Sequence, residues 1–165
     1  MTKPRVYLAS PLGFADSTRP FMASLVADLA PHVEILNPWD DVRFEPEFAR
    51  LATENDFAIR RAALQEINTE IARSNADNIR RADALFGILD GVDVDSGTAS
   101  EIGYAAALGK YICGLRTDFR LSADNYGSTV NLQVQYFIET TGGRIVHRAA
   151  DLVHLAISFA ARLSG

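Results

Sequence analysis

Five short apolar runs, each closed by chain-breaking or polar residues and each separated from the next by a stretch of helical length, constrain this chain most. They are Arg5–Ala9, 33–36, 84–89, Tyr111–Leu115 and 144–147. Runs of that length between Gly-, Pro- and Asp-rich breaks read as buried strands. Ser10-Pro11 closes the first, and Asn37-Pro38-Trp39-Asp40 closes the second. Asp16 or Ser17 can cap a helix running to Leu29, with Phe21, Leu25 and Leu29 on one face. Residues 41–56 lack periodicity and read as a long loop or short helical turns, the kind of segment that often serves as a functional lid. Further helices are expected over 56–72, on a pattern that can continue to 79, and over 98–108, 130–138 and 149–163. Leu152, Ala156, Phe159 and Leu163 supply the helical spacing of the last, and 116–128 reads as a polar loop. Strands alternating with helices imply an α/β fold, a parallel sheet of about five strands with helices on both faces. It is read as one domain over 1–165. Open sheets of this kind bind ligands beyond the carboxyl ends of their strands. The loops 9–16, 37–47 and 90–98 all lie there and are expected to converge.

Composition narrows the partners. A chain of 165 residues is long enough to bury roughly 68–70% of its unfolded surface. The net charge of -5, with only the short pairs Arg60-Arg61 and Arg80-Arg81, argues against a nucleic-acid polymer as partner. Cys113 is the single cysteine, so no intrachain disulfide can form, which suits a reducing compartment. The apolar stretch at 6–9 is too short for a signal peptide or a membrane span, and a cytoplasmic protein is expected. His32, His147 and His154 lack ligand spacing, so neither a metal nor another cofactor is expected. The stretch from Gly103 to Gly109-Lys110 has the wrong spacing for a phosphate loop and reads as a helix stop.

The chemistry concentrates at 89–104, where Asp90, Asp93 and Asp95 precede a helix start. By spacing alone, Thr98 and Glu101 form a T-x-x-E capping box, a structural device. Two features point to a site instead. Three acids crowd the loop, and Gly97 allows a ligand close to the backbone. A carboxylate beside helix amides is also kept ionised, as a nucleophile must be.

The stretch DSGTASEIGYA at 95–105, followed by LGK at 108–110, resembles the signature of the nucleoside 2-deoxyribosyltransferase family. The similarity extends to YLASPL at 7–12 and to Asn131-Leu132, covering about residues 5 to 140. The resemblance implies a flavodoxin-like fold and base exchange on 2′-deoxynucleosides, as in nucleotide salvage. It implies Glu101 as the nucleophile, Tyr7 as the residue that orients it, and Asp95 as a group that helps hold the sugar. It also implies that Asn131 reaches the sugar's 5′ side in a neighbouring subunit, and hence a homo-oligomer with shared sites. The family's base-binding aspartate falls on Asn75, with Asp77 the nearest acid. An asparagine can hydrogen-bond a base but is a poor general acid, which leaves base protonation to Asp77, water or another group. Some members also end in an aromatic residue whose carboxylate enters the site, where this sequence reads Leu163-Ser164-Gly165.

The remaining candidates come from the converging loops. Phe14 and Trp39 could sandwich a base, and Asp90 could contact substrate. The expected partners are therefore a deoxynucleoside and a free nucleobase. Two rival readings stand beside base exchange. One is hydrolysis of deoxynucleoside 5′-monophosphates, disfavoured by the acidic loop and by the lack of Lys or Arg in 9–16. The other is a non-catalytic nucleotide-binding module in which Glu101 only caps a helix. The lone Cys113 reads as an inert core residue.

Overall fold

The computed structural model describes residues 2–121 and 125–164; residues 122–124, part of the expected polar loop, and the terminal Gly165 lie outside them. The strands β1 (Arg5–Ala9), β2 (Glu34–Leu36), β3 (Ala84–Ile88), β4 (Tyr111–Leu115) and β5 (Ile145–Val146) form one sheet in the order β2-β1-β3-β4-β5. Every pairing is parallel, with Tyr7 opposite Leu36 and Leu85, and Phe86 opposite Cys113. That order is the flavodoxin-like doubly wound arrangement, whose crossover point lies between β1 and β3.

The helices are α1 (Arg19–Leu29), α2 (Glu45–Ala52), α3 (Phe57–Arg81), α4 (Ser96–Ala107), α5 (Leu132–Thr140) and α6 (Ala149–Ser164). Strand residues alternate between the two faces, as the twofold period of a strand demands. Val6, Leu8 and Phe86 join Leu25 and Leu29 of α1 and Leu152, Ala156 and Phe159 of α6 in one core. Tyr7, Ala9 and Leu85 join Ile79 of α3, Ile102 and Ala105 of α4, and Val134 and Ile138 of α5 in the other. β1 thus feeds both cores, and the buried phenol of Tyr7 lies in the second.

The sequence-based boundaries shift in most of the helices. α1 is capped by Thr18 rather than Asp16 or Ser17, and the Thr18 hydroxyl turns back to donate to the carbonyls of Leu12 and Ala15. Phe21, expected on the buried face, is exposed, as is Leu163 at the far end of α6. The segment 41–56, expected as a long loop or short helical turns, contains α2, a helix of eight residues. α3 runs unbroken for 25 residues from the Asp56 cap, because 57–81 holds neither Gly nor Pro and Ile79 is drawn into the core. α5 begins at Leu132, after Val130, and Asn131 caps it by accepting from the Gln133 amide at 3.0 Å. No helix among the described residues is long and apolar enough to cross a membrane.

Candidate active site

The site is built where β1 and β3 deliver their carboxyl ends to the start of α4. Tyr7 is fully buried, and its hydroxyl donates to Oε1 of Glu101 at 2.6 Å. Glu101 itself is half-buried, and its Oε2 takes no hydrogen bond among the described residues. Burial raises the pKa of Glu101 above the ordinary carboxylate value; the Tyr7 hydrogen bond pulls it down, and the nearby Asp95 charge pushes it further up. Burial, then the Glu101 charge and the hydrogen bond to it, likewise raises the pKa of Tyr7. The phenol therefore stays protonated and acts only as a donor.

The capping-box expectation is overturned. Asp95, not Thr98, is the cap of α4: its Oδ2 accepts from the Thr98 amide at 2.9 Å and lies 3.3 Å from the Thr98 hydroxyl. Thr98 is buried in the third helical position, and Glu101 lies beyond the first turn, bonded to Tyr7 instead of to a backbone amide. Burial, not the helix start, therefore dominates the shift at Glu101. Gly97 sits in the first turn, where an added Cβ would come 3.1 Å from Asp95 Oδ2.

Trp39 ties the first two loops together. Its indole N–H donates to the Ser10 carbonyl at 2.8 Å, and its ring lies over Gly13, where an added Cβ would fall 2.0 Å from the indole. Phe14 meets Trp39 edge to face at 4.6 Å. The two rings touch each other, so they do not flank a slot, and the expected sandwich is corrected. What remains is the outer face of Phe14, which is 75% exposed. Nearby, Arg43 bridges the Asp41 carboxylate to the Ser74 hydroxyl at 3.1 Å, bringing the loop after β2 against α3 next to Asn75.

Asn75 and Asp77 separate on α3. Asn75 lies one turn before the buried Ile79, half-buried on the sheet-facing side and toward the strands' carboxyl ends. Asp77 is exposed and paired with Arg80 at 2.5 Å. Asp90 is also committed elsewhere: its carboxylate accepts from the Thr117 amide, the Thr117 hydroxyl and the Asp118 amide at 2.5, 2.6 and 2.8 Å. Asn131 opens onto a groove between α4 and α5, lined by Ser96, Ala99, Ser100, Gly103 and Phe137. At 3.6 residues per turn, Glu101 lies about 140° around α4 from that groove. Within one chain, then, Asn131 and Glu101 serve different faces of the helix. The reading by sequence missed Arg116, a buried guanidinium at the end of β4, although a cation closing an apolar run is itself an unusual signal. No cluster of His, Cys, Asp and Glu among the described residues could hold a metal ion.

The molecule is a doubly wound α/β protein with a tyrosine-held carboxylate at the crossover point of its sheet. The family model for nucleoside 2-deoxyribosyltransferase matches residues 6–133, and the chain belongs to that family. A search of curated proteins gives no significant match. Among solved structures, a 2-deoxyribosyltransferase from Leishmania mexicana is 28% identical with a TM-score of 0.56, covering 79% of this chain and 85% of that one. A conserved protein from Enterococcus faecalis V583 superposes with a TM-score of 0.67 at 24% identity, over 94% of this chain and 98% of that one. The CMP N-glycosidase of Clostridium botulinum gives 0.55 at 18% identity, over 94% and 98%. The last two establish likeness of fold alone.

Proposed function

We propose that this chain exchanges the base of 2′-deoxynucleosides through a covalent glycosyl ester on Glu101. The observation that carries the reading is the 2.6 Å bond from the buried Tyr7 hydroxyl to Glu101, which fixes one carboxylate oxygen and leaves the other to react. Oε2 attacks C1′, the ester bond forms, and the C1′–N bond breaks with its electron pair leaving on the base, which takes up a proton. An incoming base then attacks C1′, loses its own proton, and returns the ester electron pair to Glu101. Water in place of the base gives slow hydrolysis. A 2′-deoxy sugar lacks the electron-withdrawing hydroxyl and forms an oxocarbenium-like transition state more readily; the Asp95 charge stabilises it.

Asn75, on the sheet-facing side of α3, is the better base contact than Asp77, whose charge is taken by Arg80. Protonation of the leaving base then falls to water or to a group brought by substrate. The exposed face of Phe14 offers a stacking surface for the base. Asn131 faces away from the Glu101 of its own chain, which fits a homo-oligomer in which it completes a neighbour's site in nucleotide salvage in the cytoplasm. Mixing inactive Glu101→Gln and Asn131→Ala subunits should then restore activity, and no recovery after proven subunit exchange contradicts sharing. For the reaction itself, deoxyadenosine or deoxyinosine incubated with a different free base should yield the exchanged deoxynucleoside, without phosphate and undiminished by chelator. Cleavage confined to deoxynucleoside monophosphates, with no exchange, would replace this reading with the hydrolytic one.

A further inference from the structure

One buried cation has no part in the chemistry above. Arg116 follows β4 directly and is 1% exposed. Its Nη1 donates to the Leu89 carbonyl at 2.5 Å, and its Nη2 donates to the carbonyls of Gly91 and Arg120 at 3.2 and 2.8 Å. In the opposite direction, Asp90 accepts the three bonds from Thr117 and Asp118. The segment leaving β3 and the segment leaving β4 are thus interlocked from both sides. A guanidinium withdrawn from water is strongly destabilising unless its donors are met, so this clasp is specific in geometry and hard to loosen.

The clasped segment is the one that delivers α4. From Leu89 the chain passes Asp90, turns at Gly91 with φ +128°, a conformation open to glycine, and buries Val94 in the same core as Tyr7 and Ile102. The next residue is Asp95, the cap that starts α4, and Glu101 follows six residues later on the same helix. Where Arg116 holds the carbonyls of Leu89 and Gly91 therefore decides where Asp95 and Glu101 stand relative to Tyr7. A misplacement of about 1 Å at a reacting group can cost about 100-fold in rate.

We infer that Arg116 is a positioning residue: by clasping the Leu89 and Gly91 carbonyls it sets the entry of α4 and so the alignment of Asp95 and Glu101 with Tyr7. The inference rests on the proposed base exchange for its rate measurement only. Lysine in its place keeps the charge but cannot span three carbonyls.

The experiment compares wild type with Arg116→Lys and Arg116→Ala in three measurements: base-exchange kinetics, hydrogen exchange of the Thr98 amide capped by Asp95, and melting temperature. Arg116→Lys should lower kcat about tenfold or more at near-constant KM, while Thr98 exchange accelerates. Arg116→Ala should regain part of its kcat with millimolar guanidinium chloride but not with equimolar sodium chloride. Thr117→Val removes one exposed bond of the clasp without emptying the core, and should give the same pattern on a scale of about two- to tenfold even if the alanine variant fails to fold. The inference is overturned if kcat per folded molecule is unchanged in Arg116→Lys and Thr117→Val, or if it falls only with melting temperature while Thr98 exchange stays at the wild-type rate. A wild-type protein inert toward every deoxynucleoside overturns the proposed function; the Thr98 measurement still decides the clasp.

Discussion

The two faces of the sheet are built from the same strands and do different work. On the α1/α6 face the buried cluster is wholly apolar, and a stacked ring pair, Tyr111 on Phe159 at 5.0 Å, lies at its margin. On the α3/α4/α5 face a core of similar kind takes in the Tyr7 phenol and, beside it, the half-buried Glu101 carboxylate. The difference teaches where stability is made and where it is surrendered. The first face gains from every methylene it buries. The second keeps an acid out of water, with one hydrogen bond to hold it, which disfavours its charged form.

The sharpest way to break this comparison is to damage the first face alone. Leu152→Ala, fully buried beneath α6, should cost about 2–5 kcal/mol of stability, measured by urea unfolding, and leave kcat of the folded fraction intact. A fall in kcat per folded molecule would mean that the faces are coupled. A smaller effect is expected from Tyr7→Phe, which removes the donor from Glu101 and should lower kcat/KM by about 1.5–3 kcal/mol in transition-state terms. The Tyr7 bond holds the Glu101 pKa down, so its loss should move the acidic limb of the pH–rate profile to higher pH. A limb that stays in place contradicts the assignment.

The smallest effect has a telling sign. The raised value in the folded state means that neutral Glu101 favours folding and that this contribution is lost as pH rises through the folded-state value. Glu101→Gln should therefore be more stable than wild type by about 0.5–2 kcal/mol at neutral pH, with the gap closing as pH falls below the ordinary glutamate range. Equal stability at both pH values would show that burial imposes no cost here.

The same contrast explains what could be read without coordinates. β1 and β4 stand where their apolar runs put them, because a buried parallel strand is a local pattern. The α4 start was misplaced because Asp95 and Thr98 are equally acceptable caps by type, and the choice between them depends on how the preceding loop is held. That holding comes from Arg116, 25 and 27 positions away in sequence from the carbonyls it clasps, and no local spacing reveals it. The touching pair of Phe14 and Trp39 is of the same kind: composition placed both rings on converging loops, but only packing decides whether they meet or leave a slot. The 95–105 signature singles out Glu101 and Asp95 and the 7–12 stretch singles out Tyr7, but the bond joining Tyr7 to Glu101 spans 94 positions and shows in no local pattern.

The central claim is that Glu101 is the nucleophile, and trapping its ester tests that most directly. The protein should be mixed with a 2′-deoxynucleoside in the absence of acceptor base, quenched rapidly in acid, digested and analysed by mass spectrometry. The account predicts that the peptide containing Glu101 gains one deoxyribosyl group, that the gain disappears when a free base is added before the quench, and that Glu101→Gln never acquires it. An adduct on another residue, or turnover by Glu101→Gln at the wild-type rate, would contradict it.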